Sequence, residues 1–254
     1  MTRVVRSTVP RTAVRGLVAD RIQEQILDGT LSAGDRLPPE RELAEQLSVN
    51  RSSVREALKT LEQLGLVSSR QGSGTIVCSV EHASLDVLAR LLFLDGKPNV
   101  PWIRDFLDLR EAIAPGLVRA ALERASDGEL AEIIELLTRV LDPELEAGEY
   151  LDLLLSIQDG LVRATHNRVA LQLWSSMRRV LTQLSFEPLR LGSARTRGVL
   201  VPALKRLAVA VHARDTSTAE RSVRDLYRRA GALILAPIEE PARPGPAASV
   251  LARA

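Results

Sequence analysis

Residues 47–67 read LSVNRSSVREALKTLEQLGLV, and two arginines, Arg51 and Arg55, open a segment whose apolar residues Val54, Leu58, Leu61 and Leu64 keep to one face. A helix formed on that face brings two guanidinium groups to its own positive end, where cations are disfavoured. Such an arrangement calls for an anion in front of it. Asn50, Ser52 and Ser53 add short polar side chains beside the arginines.

The surrounding elements decide what that anion is. From residue 13 to 28, Val14, Leu17, Val18, Ile22, Ile26 and Leu27 form a helical stripe that Gly29 stops. LSAGDRLPPE is a turn-rich connector, after which Pro38 and Pro39 open a second helix, ERELAEQL. SVN turns the chain into the third helix, where Ser53 and Glu56 have capping-box spacing. Beyond Gly65, Leu66, Ser68, Thr75 and Val77 alternate about the glycine-rich tip QGSG, the pattern of a hairpin. Three helices and a hairpin make a winged helix-turn-helix, whose third helix enters the major groove of DNA. The alternative is a small helical bundle with solvated arginines.

Charge placement agrees with a polyanion partner. Residues 1–80 carry 11 Lys/Arg against 9 Asp/Glu, residues 81–254 carry 23 of each, and Arg3, Arg6, Arg11 and Arg15 precede the first acid, Asp20. The chain of 254 residues has 45% hydrophobic and 3% aromatic residues, a composition suited to leucine- and alanine-rich helical cores. Its single cysteine, Cys78, excludes an internal disulfide and a cysteine-rich metal site. With neither a secretory signal nor an apolar run of spanning length, the expected location is the cytoplasm, away from membranes.

The segment ILDGTLSAGDRLPPERELAEQLSVNRSSVREALKTLEQLGLVSSRQGSGTIV closely resembles the GntR family of bacterial transcription regulators. The resemblance implies that Arg41, Arg51 and Arg55 meet the operator, a short palindrome bound by a homodimer. Arg51 then suits a bidentate bond to guanine O6 and N7, worth about 1–3 kcal/mol of discrimination. Arg55 suits phosphate, and Arg41 a base or the backbone. Asn50, Ser52 and Ser53 can donate to phosphates, Asn50 also to an adenine edge, and Ser53 can instead cap the helix. Gln71 and Gly72, at the wing tip, can enter the minor groove or form an ordinary hairpin turn.

From residue 84 the periodicity is helical: 84–95, 101–125, 127–141, 144–166, 168–187, 195–213 and 215–235, with Pro115-Gly116 expected to split or kink the second segment. The expected organisation is a basic arm at 1–12, the DNA reader at 13–80, a connecting segment at 81–100, a helical sensing and dimerisation domain at 101–236, and a Pro-rich mobile tail at 237–254. FLDLREAIAPGLVRAAL, LVRATHN and AVHARDTSTAERSVRDLY resemble the ligand-sensing domain of the FadR subfamily. Asn167 and Asp215 stand where caps are needed.

Most of that subfamily holds a metal through one Asp and three His, and the resemblance puts these positions on Leu154, Gln158, Leu204 and Leu226. Glutamine and three leucines will not hold a divalent metal, so none is expected. His82, His166 and His212 do not rescue such a site. The acyl-CoA-responsive, metal-free branch also departs from the metal pattern, and the connecting segment SLDVLARLLFLDGK resembles a helix of that branch. An apolar interior at Leu154, Leu204 and Leu226 then suits an acyl chain. Arg110, Arg178 and Arg179 suit coenzyme A phosphates, and Trp102, Trp174 and Tyr227 suit a chain or an adenine; the alternative for each is core packing or a solvated charge. Together these features describe a ligand-responsive regulator of fatty-acid metabolism. A regulator of a small carboxylate metabolite and an architectural DNA-binding protein with a degenerate sensor are the alternatives. No nucleophile with its base and no phosphate-binding glycine loop marks an enzyme.

Overall fold

The computed structural model describes residues 11–70, 74–94, 97–184 and 193–239. The chain divides into two compact units, Met1–Lys97 and Pro98–Ala254. The mainly α architecture, a winged helix-turn-helix with a β-hairpin wing plus an all-helical body, is the one the hydrophobic periodicity predicts.

The first unit contains α1 (Arg11–Leu27), α2 (Glu40–Gln46) and α3 (Arg51–Gln63), then the antiparallel hairpin β1 (Val67–Arg70) and β2 (Gly74–Val77). Val18, Ile22 and Ile26 of α1 are buried, as are Val54, Ala57, Leu58 and Leu61 of α3, and the two helices pack together. Leu17 was expected on the same stripe but is 65% exposed; one residue before Val18, it is turned about 100° away on the helix. The hairpin pairs Val67 with Val77 and Ser69 with Thr75. The connector is not a free turn: the Leu37 amide donates to the Thr75 carbonyl and the Val77 amide to the Asp35 carbonyl, both at 2.9 Å. Gly65 ends α3 at φ +71°, and a Cβ there would come 2.8 Å from the His82 carbonyl oxygen. Only glycine meets both conditions.

The helix expected over 84–95 is not continuous. Ser84 accepts from the Asp86 amide and caps a single 3-10 turn, Leu85–Val87, before the four-residue α4 (Leu88–Leu91) and a two-residue strand, Phe93–Leu94. Val87, Leu91 and Leu92 are buried.

The second unit consists of α5 (Val100–Arg124), α6 (Asp127–Arg139), α7 (Ala147–Ala164), α8 (Arg168–Leu184), α9 (Ala194–His212) and α10 (Thr216–Glu239). α5 runs along α10, α9 packs on α10 and α6, and α7 joins α5, α6 and α8. Its core is aliphatic, with Val118, Leu137, Leu200, Leu204 and Leu207 at or below 1% exposure. Side chains close the helix ends. Ser126 and Glu129 form a capping box, Asn167 Oδ1 accepts from the Val169 and Ala170 amides, and Asp215 Oδ1 accepts from the Thr218 amide. His166 and Arg214, each immediately before one of the last two caps, adopt φ +50°. The Arg214 guanidinium donates to the Leu122 and Ala125 carbonyls and to Asp127, fixing that turn on the end of α5.

Two expectations from proline need correction. α5 is not split at Pro115, which is itself buried, and α10 passes through Pro237 to Glu239, so the Pro-rich tail does not begin at 237. Residues 1–10 of the basic arm, and 240–254 of the tail, lie outside the described residues. Among the described residues, no helix is long and apolar enough to cross a membrane.

Candidate functional site

The first unit offers a surface at the start of α3. Asn50 is the N-cap, its Oδ1 accepting from the Ser53 amide at 2.8 Å and from the Ser52 hydroxyl at 2.6 Å. Asn50, not Ser53, therefore caps the helix. Ser53 is 6% exposed and faces the core, so it leaves the expected set of phosphate contacts. Arg51 stands exposed at the first position of α3, with no acidic residue in that turn. Arg55 is also exposed but is held by Glu40 of α2, with Nε at 3.1 Å and Nη2 at 2.8 Å from the carboxylate. That bidentate pair, missed in the sequence, holds the Glu40 carboxyl below its ordinary range through the Arg55 hydrogen bond and raises the Arg55 guanidinium through the same contact. Arg41 is two-thirds exposed, 3.7 Å from Glu45. Gln71 and Gly72 lie outside the described residues. Arg41, Asn50, Ser52 and Arg51 thus share the exposed α2–α3 region with a pre-aligned Arg55.

The second unit contains a cavity of about 390 Å³ bounded by α5, α7, α8 and α10. α5 supplies Arg110, Ile113, Ala114 and Leu117; α8 supplies Ala170, Leu173, Trp174 and Met177; Val162 and Tyr227 complete the wall. The lining is apolar except at one end. There Arg110, 7% exposed, donates from Nη2 to Gln158 Oε1 at 3.0 Å, and the Tyr227 hydroxyl donates to the same oxygen at 2.9 Å. The Arg110 guanidinium carbon lies 4.6 Å from the Tyr227 ring centre and 5.8 Å from that of Phe106. Its Nε is buried without a hydrogen-bond partner. Burial pushes the guanidinium below its usual value, against the Tyr227 hydroxyl beside it, and burial likewise raises the Tyr227 phenol against the opposing charge of Arg110. Trp174 is fixed in the wall by a hydrogen bond from its indole N–H to Asp159, which also pairs with Arg178 at 3.1 Å.

Of the residues singled out from sequence, Arg110, Gln158, Trp174 and Tyr227 come together here. Arg178 reaches this region only through Asp159. Leu204 is wholly buried in the core, and Leu154 and Leu226 pack against that core instead of lining the cavity. Trp102 does not line it, and Arg179 is bound to Ser176. The three leucines, expected to line an apolar site, belong to or pack on the core, and the apolar cavity lies between α5 and α8. Ala170, Leu173, Trp174 and Met177 repeat at helical spacing, and Ala112 and Gly116 stand four apart on α5, signals that could have found it. The residues at the subfamily's metal positions do not fit a metal. Gln158 directs its oxygen to two donors, one of them cationic, and its amide nitrogen donates to the Leu154 carbonyl. A cation has neither a ligand set nor a favourable field there. Among the described residues, no three His, Cys, Asp or Glu cluster as metal ligands.

Comparison with known proteins accounts for both units. Residues 15–77 match the family described as bacterial regulatory proteins, gntR family, and residues 105–229 match the FCD domain. The transcriptional regulator Mce2R of Mycobacterium tuberculosis is 33% identical over 90% of this chain and 94% of its own. A putative L-lactate dehydrogenase operon regulatory protein of Escherichia coli is 33% identical over 61% of this chain and 60% of its own. A solved structure described as Lar, which controls the agr system of Listeria monocytogenes, superposes with a TM-score of 0.53 at 15% identity, covering 91% of this chain and 98% of that one, a likeness of fold. With an exposed arginine-bearing helix in one unit and a helical body in the other, the chain belongs to the GntR family of transcriptional regulators, in the group that carries an FCD domain, and is not an enzyme.

Proposed function

We propose that this regulator binds a short palindromic operator as a homodimer, in the cytoplasm, and that a metal-free effector with an apolar body, of the fatty-acyl kind, sets its affinity for DNA. Arg51 reads a base in each half-site, and Arg41 and Arg55 engage the backbone. The observation that carries the effector reading is the apolar cavity of about 390 Å³ between α5 and α8, a volume within the range of small-molecule sites, roughly 300–1,000 Å³. A ligand there can change operator binding only through different affinities for the free and DNA-bound proteins, and the coupling is reciprocal.

The test is calorimetric titration of chelator-treated protein with dodecanoate and dodecanoyl-CoA, each below its micelle concentration, followed by operator binding with and without ligand. Saturable binding near one per subunit, with operator affinity changed by the same factor as ligand affinity for the DNA complex, is the expected result. Binding of neither ligand removes the fatty-acyl reading. The second reading is a small carboxylate metabolite, favoured by the cationic end of the cavity at Arg110 and by the relative named for the L-lactate dehydrogenase operon.

A further inference from the structure

Arg110 has an unusual position for a guanidinium. It is 93% removed from solvent, by its 7% exposure, and sits in an otherwise apolar wall. Its neighbours are neutral: one amide oxygen, at Gln158, and the faces of Tyr227 and Phe106. Among the described residues, none of the salt bridges involves Arg110, and Nε has no partner at all. A guanidinium carries five N–H donors and does not lose its proton, so burial here leaves a charge without a carboxylate and Nε without a partner. Aromatic faces offset part of that cost, but an isolated buried charge costs more than they return. A core selected only for stability does better with an aliphatic residue of similar volume. Two half-buried arginines have a carboxylate partner: Arg178 has Asp159, and Arg229 has Asp225.

From this geometry we infer that Arg110 is the anion receptor of the cavity, and that the effector is a free carboxylic acid with an apolar body, its carboxylate held directly by Arg110 without a metal. The inference rests on the cavity being the effector site and specifies which end of the ligand is recognised. An ionised carboxylate matches the planar fork of a guanidinium with two parallel hydrogen bonds. Gln158, pinned by its own bond to the Leu154 carbonyl, takes one Nη2 donor of that fork and keeps the guanidinium oriented. The apolar body then lies along Leu117, Val162, Leu173 and Met177. A coenzyme A thioester is a poorer match. It presents a neutral carbonyl where the charge is needed and carries its own charges on phosphates at the far end. The same arginine therefore selects acid over ester and over thioester.

Trp174 in the cavity wall supplies the readout, because Trp102, the other tryptophan, does not line the cavity. Fluorescence titrations of full-length Trp102→Phe protein, with chelator present throughout, compare dodecanoate, methyl dodecanoate and dodecanoyl-CoA. The expected result is that the acid binds at least tenfold more tightly than the ester and the thioester. In Arg110→Gln the acid-to-ester ratio falls to near one while ester affinity stays within about threefold. Arg110→Lys retains part of the preference. Equal binding of acid and ester by the protein with Arg110 intact overturns the inference and leaves the cavity as the effector site. Thioester binding stronger than acid overturns it in the same way, as does acid binding that disappears on chelation. No saturable binding of any of the three overturns the inference together with the fatty-acyl reading on which it rests. Because the acid–ester comparison uses unaltered Arg110, it stands whether or not the variants fold.

Discussion

Arg51 and Arg55 stand one turn apart on α3 with different freedom. Arg51 is exposed and unopposed by any acid in the first turn, whereas Arg55 is clamped in a bidentate pair by Glu40. The free side chain is the one suited to search for a guanine edge, and the clamped one to meet a phosphate whose position never varies. Arg51→Ala is accordingly expected to relax preference at one base pair per half-site by about 1–3 kcal/mol, read by selection of bound sequences from a random pool. Unchanged preference sinks the assignment. Tyr150 makes a different residue-scale case. Its ring is wholly buried under Arg197, but its hydroxyl has no partner, and burial pushes the phenol up to about 12. Removing an unsatisfied buried hydroxyl is favourable. Tyr150→Phe should therefore stabilise the protein by about 1 kcal/mol, seen as a higher urea midpoint at unchanged slope. A lower midpoint would mean that the hydroxyl is satisfied after all.

Between elements, the contacts that matter join helices distant in sequence, and this sets what could be read in advance. α3 was legible because its apolar positions, its arginines and its capping residues are all local. The long helices of the body were legible for the same reason. The segment 84–95 misled because its leucines keep a helical period although Ser84 diverts the chain into a 3-10 turn. Pro115 misled because its cost is local while its compensation, burial within α5, is tertiary. The candidate cavity was half legible. Arg110 falls in phase with Ile103, Phe106 and Ala114 of the buried face, yet a charge in that phase reads as a solvated residue until α7 and α10 close over it. The Glu40–Arg55 link between α2 and α3 was invisible for the same reason. Its side chains are 35% and 60% exposed, so breaking it should cost less than about 1 kcal/mol in stability. Glu40→Gln removes a carboxylate that competes with phosphate and frees Arg55 from its alignment. Random-sequence DNA should then bind more tightly and the operator-to-random ratio should narrow in competition assays. A ratio that stays constant would show that Arg55 does not face the DNA.

Across the whole molecule, carboxylates held by hydrogen bonds and arginines set the response to acid. Glu40 is lowered by the Arg55 hydrogen bond, Glu129 by the Ser126 amide and hydroxyl, Asp215 by the Thr218 contacts, and Glu220 by Arg119. At Asp225 burial pulls upward, and the hydrogen bonds of Arg229 and Arg228, with the charge of Arg206, overcome it. Each group binds its proton more weakly folded than unfolded. Stability from these contacts is therefore complete above the ordinary carboxylate range and is lost as pH falls through the lowered folded values. The five sites span both units, from α2 at the DNA-reading end to α10 in the helical body, so acid weakens both kinds of work together. The urea midpoint should stay level from pH 7 to roughly 5 and decline below the ordinary glutamate value near 4.5. Because Asp225 gathers three arginines, Asp225→Asn should remove part of that decline while lowering the midpoint at pH 7. A midpoint that instead fell between pH 7 and 6 would overturn this account.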